Sequence, residues 1–182
     1  LAKIQLPNLA LLYGALLAGV DVVLMGAGIP REIPGTLGAL VEHRPAALRL
    51  EGTGLPAAAE AVIRFEPMAL WDGESPPTLR RPWFLPIVAS NSLATMLARK
   101  SGPIDGFVIE GPTAGGHNAP PRGDMQLSPR GEPLYGERDQ VDLSRIRELG
   151  LPFWVAGGTG SAAGLRAARE AGATGIQVGT LF

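Results

Sequence analysis

With 182 residues, 46% of them hydrophobic and 18% charged, the chain is long enough to bury a core and is composed like a globular protein of about one domain. Its 16 basic and 17 acidic residues leave a net charge of -1, and the basic pairs Arg80-Arg81 and Arg99-Lys100 lie far apart, so neither nucleic acid nor an anionic membrane is an expected partner. The absence of cysteine removes disulfides, thiol catalysis and thiolate metal sites, two histidines leave little for a zinc site, and a reducing cytoplasm is the expected location.

Residues 8–18 show helix-like apolar spacing between Pro7 and Gly19, and residues 21–25 follow as an apolar strand ending in Gly26-Ala27-Gly28. Gly14, Gly19 and Asp21 interrupt this apolar stretch, so it does not read as a membrane span. A second helix is expected over 33–43, with Pro34 near its start and Arg44-Pro45 ending it, then a strand over 46–50. His43 reads as a surface residue at a helix end, and Asp21 as a turn residue.

The pattern loosens over 51–81, where Gly52, Gly54, Pro56, Pro67, Gly73 and Pro76-Pro77 surround a single expected strand at 61–65. This stretch reads as an insertion in one domain covering 1–182. A strand over 83–89 and a helix over 92–100 follow, and Ser90, Asn91 or Ser92 suits the helix cap. The next strand, 104–109, runs into Glu110-Gly111-Pro112-Thr113-Ala114-Gly115-Gly116-His117. Glycines there let backbone amides approach a ligand, and His117 stands at the strand's C-terminal mouth, where a group titrating near neutrality can move a proton.

Residues 118–141 form a long loop rich in Pro, Gly and charge, expected to be an active-site lid with Arg122 and Tyr135 as its candidate contacts. A helix over 143–149, a strand over 153–156, a helix over 161–171 and a strand over 175–178 complete the pattern. Such alternation calls for an α/β fold with a parallel sheet covered by helices. Glycine-rich strand exits at Gly26, Gly115-Gly116, Gly157-Gly158 and Gly179 favour part of a (β/α)8 TIM-type barrel over an open sheet. The start at Leu1 and the stop at Phe182, just after a strand, read as an internal fragment of a longer chain.

Gly158-Thr159-Gly160-Ser161-Ala162-Ala163 also fits the dinucleotide pattern G-x-G-x-x-A, but the following strand ends in Gly179-Thr180 and lacks the acidic residue that holds a ribose. The two segments make better sense together as a phosphate clamp, in which backbone amides at a helix start meet those of the neighbouring strand exit; plain tight turns are the competing reading.

Three motifs occur in order: Ala114-Gly115-Gly116-His117, Ala156-Gly157-Gly158 and Gln177-Val178-Gly179-Thr180. In these the chain resembles the nitronate monooxygenases, formerly 2-nitropropane dioxygenases, which are FMN-dependent βα barrels. The resemblance implies oxidation of an alkyl nitronate with O2 to a carbonyl compound and nitrite. It implies that Gly158, Gln177, Val178, Gly179 and Thr180 hold the FMN phosphate, with Gly157 in the same turn. Gly115 and its neighbour Gly116 would lie against the flavin, His117 would stand near its reactive edge, and Glu110 takes the place of a flavin-contacting Gln. Thr113 replaces a Glu common in relatives, and 118–123 replaces a shorter continuation. A flavin-dependent enoyl-acyl carrier protein reductase and a non-catalytic flavin-binding module of a lipid or polyketide assembly are the alternatives. The expected partners are a small-molecule substrate and O2, and a homo-oligomer stays open.

Overall fold

The computed structural model describes residues 8–26, 28–49, 62–115, 118–179 and 181. They fall into two compact units, Leu1–Phe84 with Lys100–Ile104, and Leu85–Arg99 with Asp105–Phe182.

The first unit holds helix α1 (Asn8–Leu17), strand β1 (Val22–Met25), helix α2 (Ile33–Val41) and strands β2 (Ala46–Arg49) and β3 (Val62–Phe65). Leu9, Leu12, Tyr13 and Leu16 recur at helical spacing on α1 and are buried, as are Ile33, Leu37 and Leu40 on α2. Both helices pack against β2, whose alternate residues Ala46 and Leu48 are buried. The strand at 46–50, expected as the next member of a βα alternation, instead pairs antiparallel with β3 in a sheet of its own, Ala46 opposite Phe65 and Arg49 opposite Val62. An antiparallel pair needs no crossover helix between its strands, whereas a parallel pair does. Leu50 and 51–61 lie outside the described residues.

His43 follows α2 with φ 54, a left-handed helix-end position. It is half-buried and not simply a surface residue. Its Nδ1 meets the Tyr13 hydroxyl at 2.7 Å, its Nε2 meets the Pro77 carbonyl at 2.9 Å, and Trp71 Nε1 donates to the same hydroxyl at 2.9 Å. Because Pro77 O can only accept, Nε2 carries the proton, and Tyr13 donates to Nδ1 while accepting from Trp71. This network ties the 66–77 segment to α1. Asp21 accepts the Trp83 N–H at its carbonyl and pairs with Arg80 through its side chain.

The second unit is the βα repeat. Strand β4 (Trp83–Val88), whose last four residues belong here, is followed by helix α3 (Asn91–Lys100), strand β5 (Phe107–Glu110), helix α4 (Leu143–Arg147), strand β6 (Phe153–Ala156), helix α5 (Ala162–Glu170) and strand β7 (Gly175–Gln177). The strands lie in the order β4-β5-β6-β7 and all neighbours are parallel. Ser90 Oγ caps α3 by accepting the Leu93 N–H, and Asp142 caps α4 through the Ser144 and Arg145 amides. Asn91 clasps the two helix starts, donating to Asp142 O and accepting from Asp142 N.

Val88, Phe107, Ile109 and Phe153 on one side of the sheet are almost fully buried, as are Ala94, Leu97, Ile146 and Ala168 of the helices. On the other side Trp154 stands between two glycines. A Cβ on Gly106 would come within 3.2 Å of its ring and 2.6 Å of Pro152 O, and a Cβ on Gly175 within 3.2 Å of its ring. The indole fits because both neighbours lack a side chain, and it fills the layer beneath the strand ends.

Candidate functional site at the C-terminal ends of the strands

Register builds the site. Glu110 pairs with Ala156 and Ala156 with Gln177, so these residues form one row across β5, β6 and β7 at their C-terminal ends, side chains on a common face. Adjacent strands are ~4.8 Å apart, which puts Glu110 and Gln177 roughly 10 Å from each other with only a methyl group between. Among the described residues, Glu110 Oε1 and Gln177 Oε1 are both buried without a hydrogen-bond partner. Leaving such an atom unpaired costs about 1–3 kcal/mol, and two in one row point to a polar ligand that satisfies them. Burial pushes the Glu110 carboxyl above its ordinary value, opposed by a hydrogen bond from the Ala119 backbone.

Beside Glu110, between the ends of β4 and β5, is a cleft of about 140 Å³. Ala89 and Ser90 line it from β4, Leu93 from α3, and Glu110, Gly111 and Pro112 from β5. The loop after β5 supplies the remaining wall with Asn118, Ala119, Pro120, Arg122, Tyr135 and Asp139. Arg122 and Tyr135, the two loop residues singled out in the sequence, are both part of this wall. Arg122 Nη2 donates to Ala89 O at 3.3 Å, and the Tyr135 hydroxyl donates to Ala119 O at 3.1 Å.

Asp139, not singled out in the sequence, ties two parts of the loop together. Its Oδ1 accepts the Arg122 N–H at 2.8 Å and its Oδ2 the Gly136 N–H at 2.7 Å, and these bonds keep its carboxyl below the ordinary value. An acid three residues after a glycine was the available signal. Asn118 was also missed; its Nδ2 donates to Pro112 O at 2.6 Å.

The glycine exits divide in function. Gly157 and Gly158 have φ 95 and 68, which favour glycine, and a Cβ on each would lie 2.7 Å from Ala114 N and 3.0 Å from Thr113 Oγ1 respectively. They therefore bring the β6 exit against the β5 exit. A Cβ on Gly179 would meet no described residue within 4 Å, which leaves that backbone open to them beside the Gln177 end of the row. Val178 turns its side chain toward Gly160, and Gly115 is exposed. Ser161 caps α5 by accepting the Gly164 N–H at 3.0 Å. Gly116, His117 and Thr180 lie outside the described residues.

The model of one family, nitronate monooxygenase, matches residues 83–182, which take in every described residue of the row and the cleft and the glycine exits of β5, β6 and β7. The chain belongs to the nitronate monooxygenase family. No curated protein matches it. Among solved structures it is similar to FabK from Thermotoga maritima, with a TM-score of 0.57 and 22% identity to the M276A mutant, over 97% of this chain and 40% of that one. A second FabK structure from the same organism gives a TM-score of 0.55 and 22% identity, over 97% and 39%. At this identity the likeness shows the fold: this nitronate monooxygenase family chain is α/β, part of a TIM-type barrel, and spans about 40% of the FabK length. In such barrels the C-terminal strand ends carry the chemistry, where the row lies. Among the described residues no helix is long and apolar enough to cross a membrane, and no group of three His, Cys, Asp or Glu is placed to hold a metal ion.

Proposed function

We propose that the protein is an FMN-dependent oxidoreductase that oxidises an alkyl nitronate with O2 to a carbonyl compound and nitrite. The observation that carries the cofactor is the unpartnered buried oxygen of Gln177, beside the Gly179 backbone at the end of a parallel strand, in the part of the chain that the family model matches. Gln177 and the open Gly179 backbone, with Val178 and Thr180 alongside, would hold FMN at the β7 exit. Gly157 and Gly158 would shape the turn facing it, while Gly115 and Gly116 would border the ring. FMN, when bound, supplies the electron acceptor.

The chain's own residues do the rest. The Arg122 and Tyr135 loop would shield the cleft from water, and His117, two glycines after Ala114, would hold the anionic nitronate when protonated, or take the carbon proton if the substrate arrives as the nitroalkane. Glu110 stands where cleft and row meet.

The visible absorption of the intact protein, mixed anaerobically with a nitronate, tests this. A flavin band that bleaches supports the reading. Bleaching only by a reduced nicotinamide would replace it with enoyl-acyl carrier protein reductase chemistry. No flavin after reconstitution with FMN would overturn it. His117→Ala is expected to retain the flavin and lose turnover by roughly 100-fold or more, the usual contribution of a positioned acid or base. Undiminished nitronate oxidation would remove His117 from the mechanism.

A further inference from the structure

The cleft between the ends of β4 and β5 has a lining whose charge has consequences for what it binds. Its walls are mostly apolar, from Ala89, Leu93, Pro112, Ala119 and Pro120. Among the described residues the ionisable groups around it are few. β5 presents Glu110, the loop presents Arg122, Tyr135 and Asp139, the end of β4 contributes only Ala89 and Ser90, and the row partner on β6 is Ala156. His117, on the same loop, lies outside the described residues.

Two carboxylates therefore face one guanidinium. Asp139 is committed to the amides of Arg122 and Gly136, and Arg122 is engaged with Ala89 O. Glu110 alone keeps a buried oxygen with no partner. In that position an ionised carboxylate accepts a hydrogen bond from a neutral donor and repels an anion, whereas a protonated one can donate to an anion's oxygen. Burial already favours the protonated form.

We propose that Glu110 makes this cleft charge-selective: it admits a small neutral molecule with an apolar body and one hydrogen-bonding group, and takes an anion only together with a proton on Glu110. This rests on the reading that the cleft receives the substrate. A nitronate would then bind more weakly as pH rises, while a neutral substrate would not.

The test uses the intact protein with FMN added and two probes of matched size, propanesulfonamide, which is neutral, and propanesulfonate, which stays ionised. Binding is followed by NMR titration across pH 5 to 9, with the flavin spectrum recorded in the same samples. The sulfonamide is expected to bind with one affinity throughout. The sulfonate should weaken by about tenfold per pH unit once Glu110 ionises, since only the protonated fraction accepts it. Glu110→Gln, uncharged at every pH, should abolish that slope.

Parallel profiles for the two probes, a slope that persists in Glu110→Gln, or failure of both probes to bind would each overturn the proposal. The wild-type comparison decides the matter even where the variant fails to fold. Charge selectivity without a flavin band would uphold this inference and sink the cofactor reading alone.

Discussion

Two interior polar clusters, one in each compact unit, are built in opposite ways. In the first, Tyr13, His43 and Trp71 form a chain in which each hydrogen-bonding group has a partner, ending on the Pro77 carbonyl. In the second, Glu110 and Gln177 each carry a buried oxygen with none. A satisfied network stabilises and a half-satisfied one costs free energy, so the first cluster reads as architecture and the second as a site shaped for something else. The contrast also separates two features that look alike in sequence. His43 and His117 both follow a regular element, but His43 has both ring nitrogens engaged in holding its unit together.

The largest effect expected from breaking this contrast is at Tyr13. Tyr13→Phe strips the acceptor from Trp71 Nε1 and the donor from His43 Nδ1, and should cost about 1–3 kcal/mol in urea unfolding, with flavin absorbance per folded molecule unchanged. A variant as stable as the parent would show that the network contributes little.

Gln177→Ala should behave in reverse. Removing a buried oxygen that has no partner should leave stability within about 1 kcal/mol, while FMN affinity falls about tenfold, equivalent to about 1.4 kcal/mol. Unchanged FMN binding, measured by flavin fluorescence quenching, would return Gln177 to the role of a strand-end residue.

The smallest effect is at Asp139, which clips the loop after β5. Asp139→Asn should speed proteolytic cleavage between 122 and 136 with little change in global stability. The pH dependence follows from the lowered carboxyl value. The folded form releases its proton more readily than the unfolded chain, so the clip is fully present above the ordinary value of 3.8 and is lost as pH falls through the lower folded value. A cleavage rate in the parent that does not rise in acid would contradict the assignment.

The elements of the second unit were legible because their signals are local. Apolar runs of four to six residues, Ser and Asp caps, and glycines after strands placed β4 to β7 and their helices within a few residues. Arg122 and Tyr135 were legible for the same reason, as polar side chains on a long loop beside a glycine-rich exit, and both line the cleft. The partner of β2 was not legible, since an apolar run of four residues fits a parallel or an antiparallel strand equally well. Asp139 was missed because its two bonds join residues 17 apart and 3 apart, and only the longer one closes the loop.

By itself the sequence determined the βα alternation, the glycine exits and the three ordered motifs that mark the family, since each depends on residues adjacent along the chain. Only the tertiary structure decided which side chains share a row and which of them are left unpaired. Glu110 and Gln177 stand 67 positions apart in the numbering and meet through Ala156, a residue with no chemistry of its own. Register between parallel strands is set by how helices pack across the sheet, and burial without a partner becomes visible only once every neighbour has been placed.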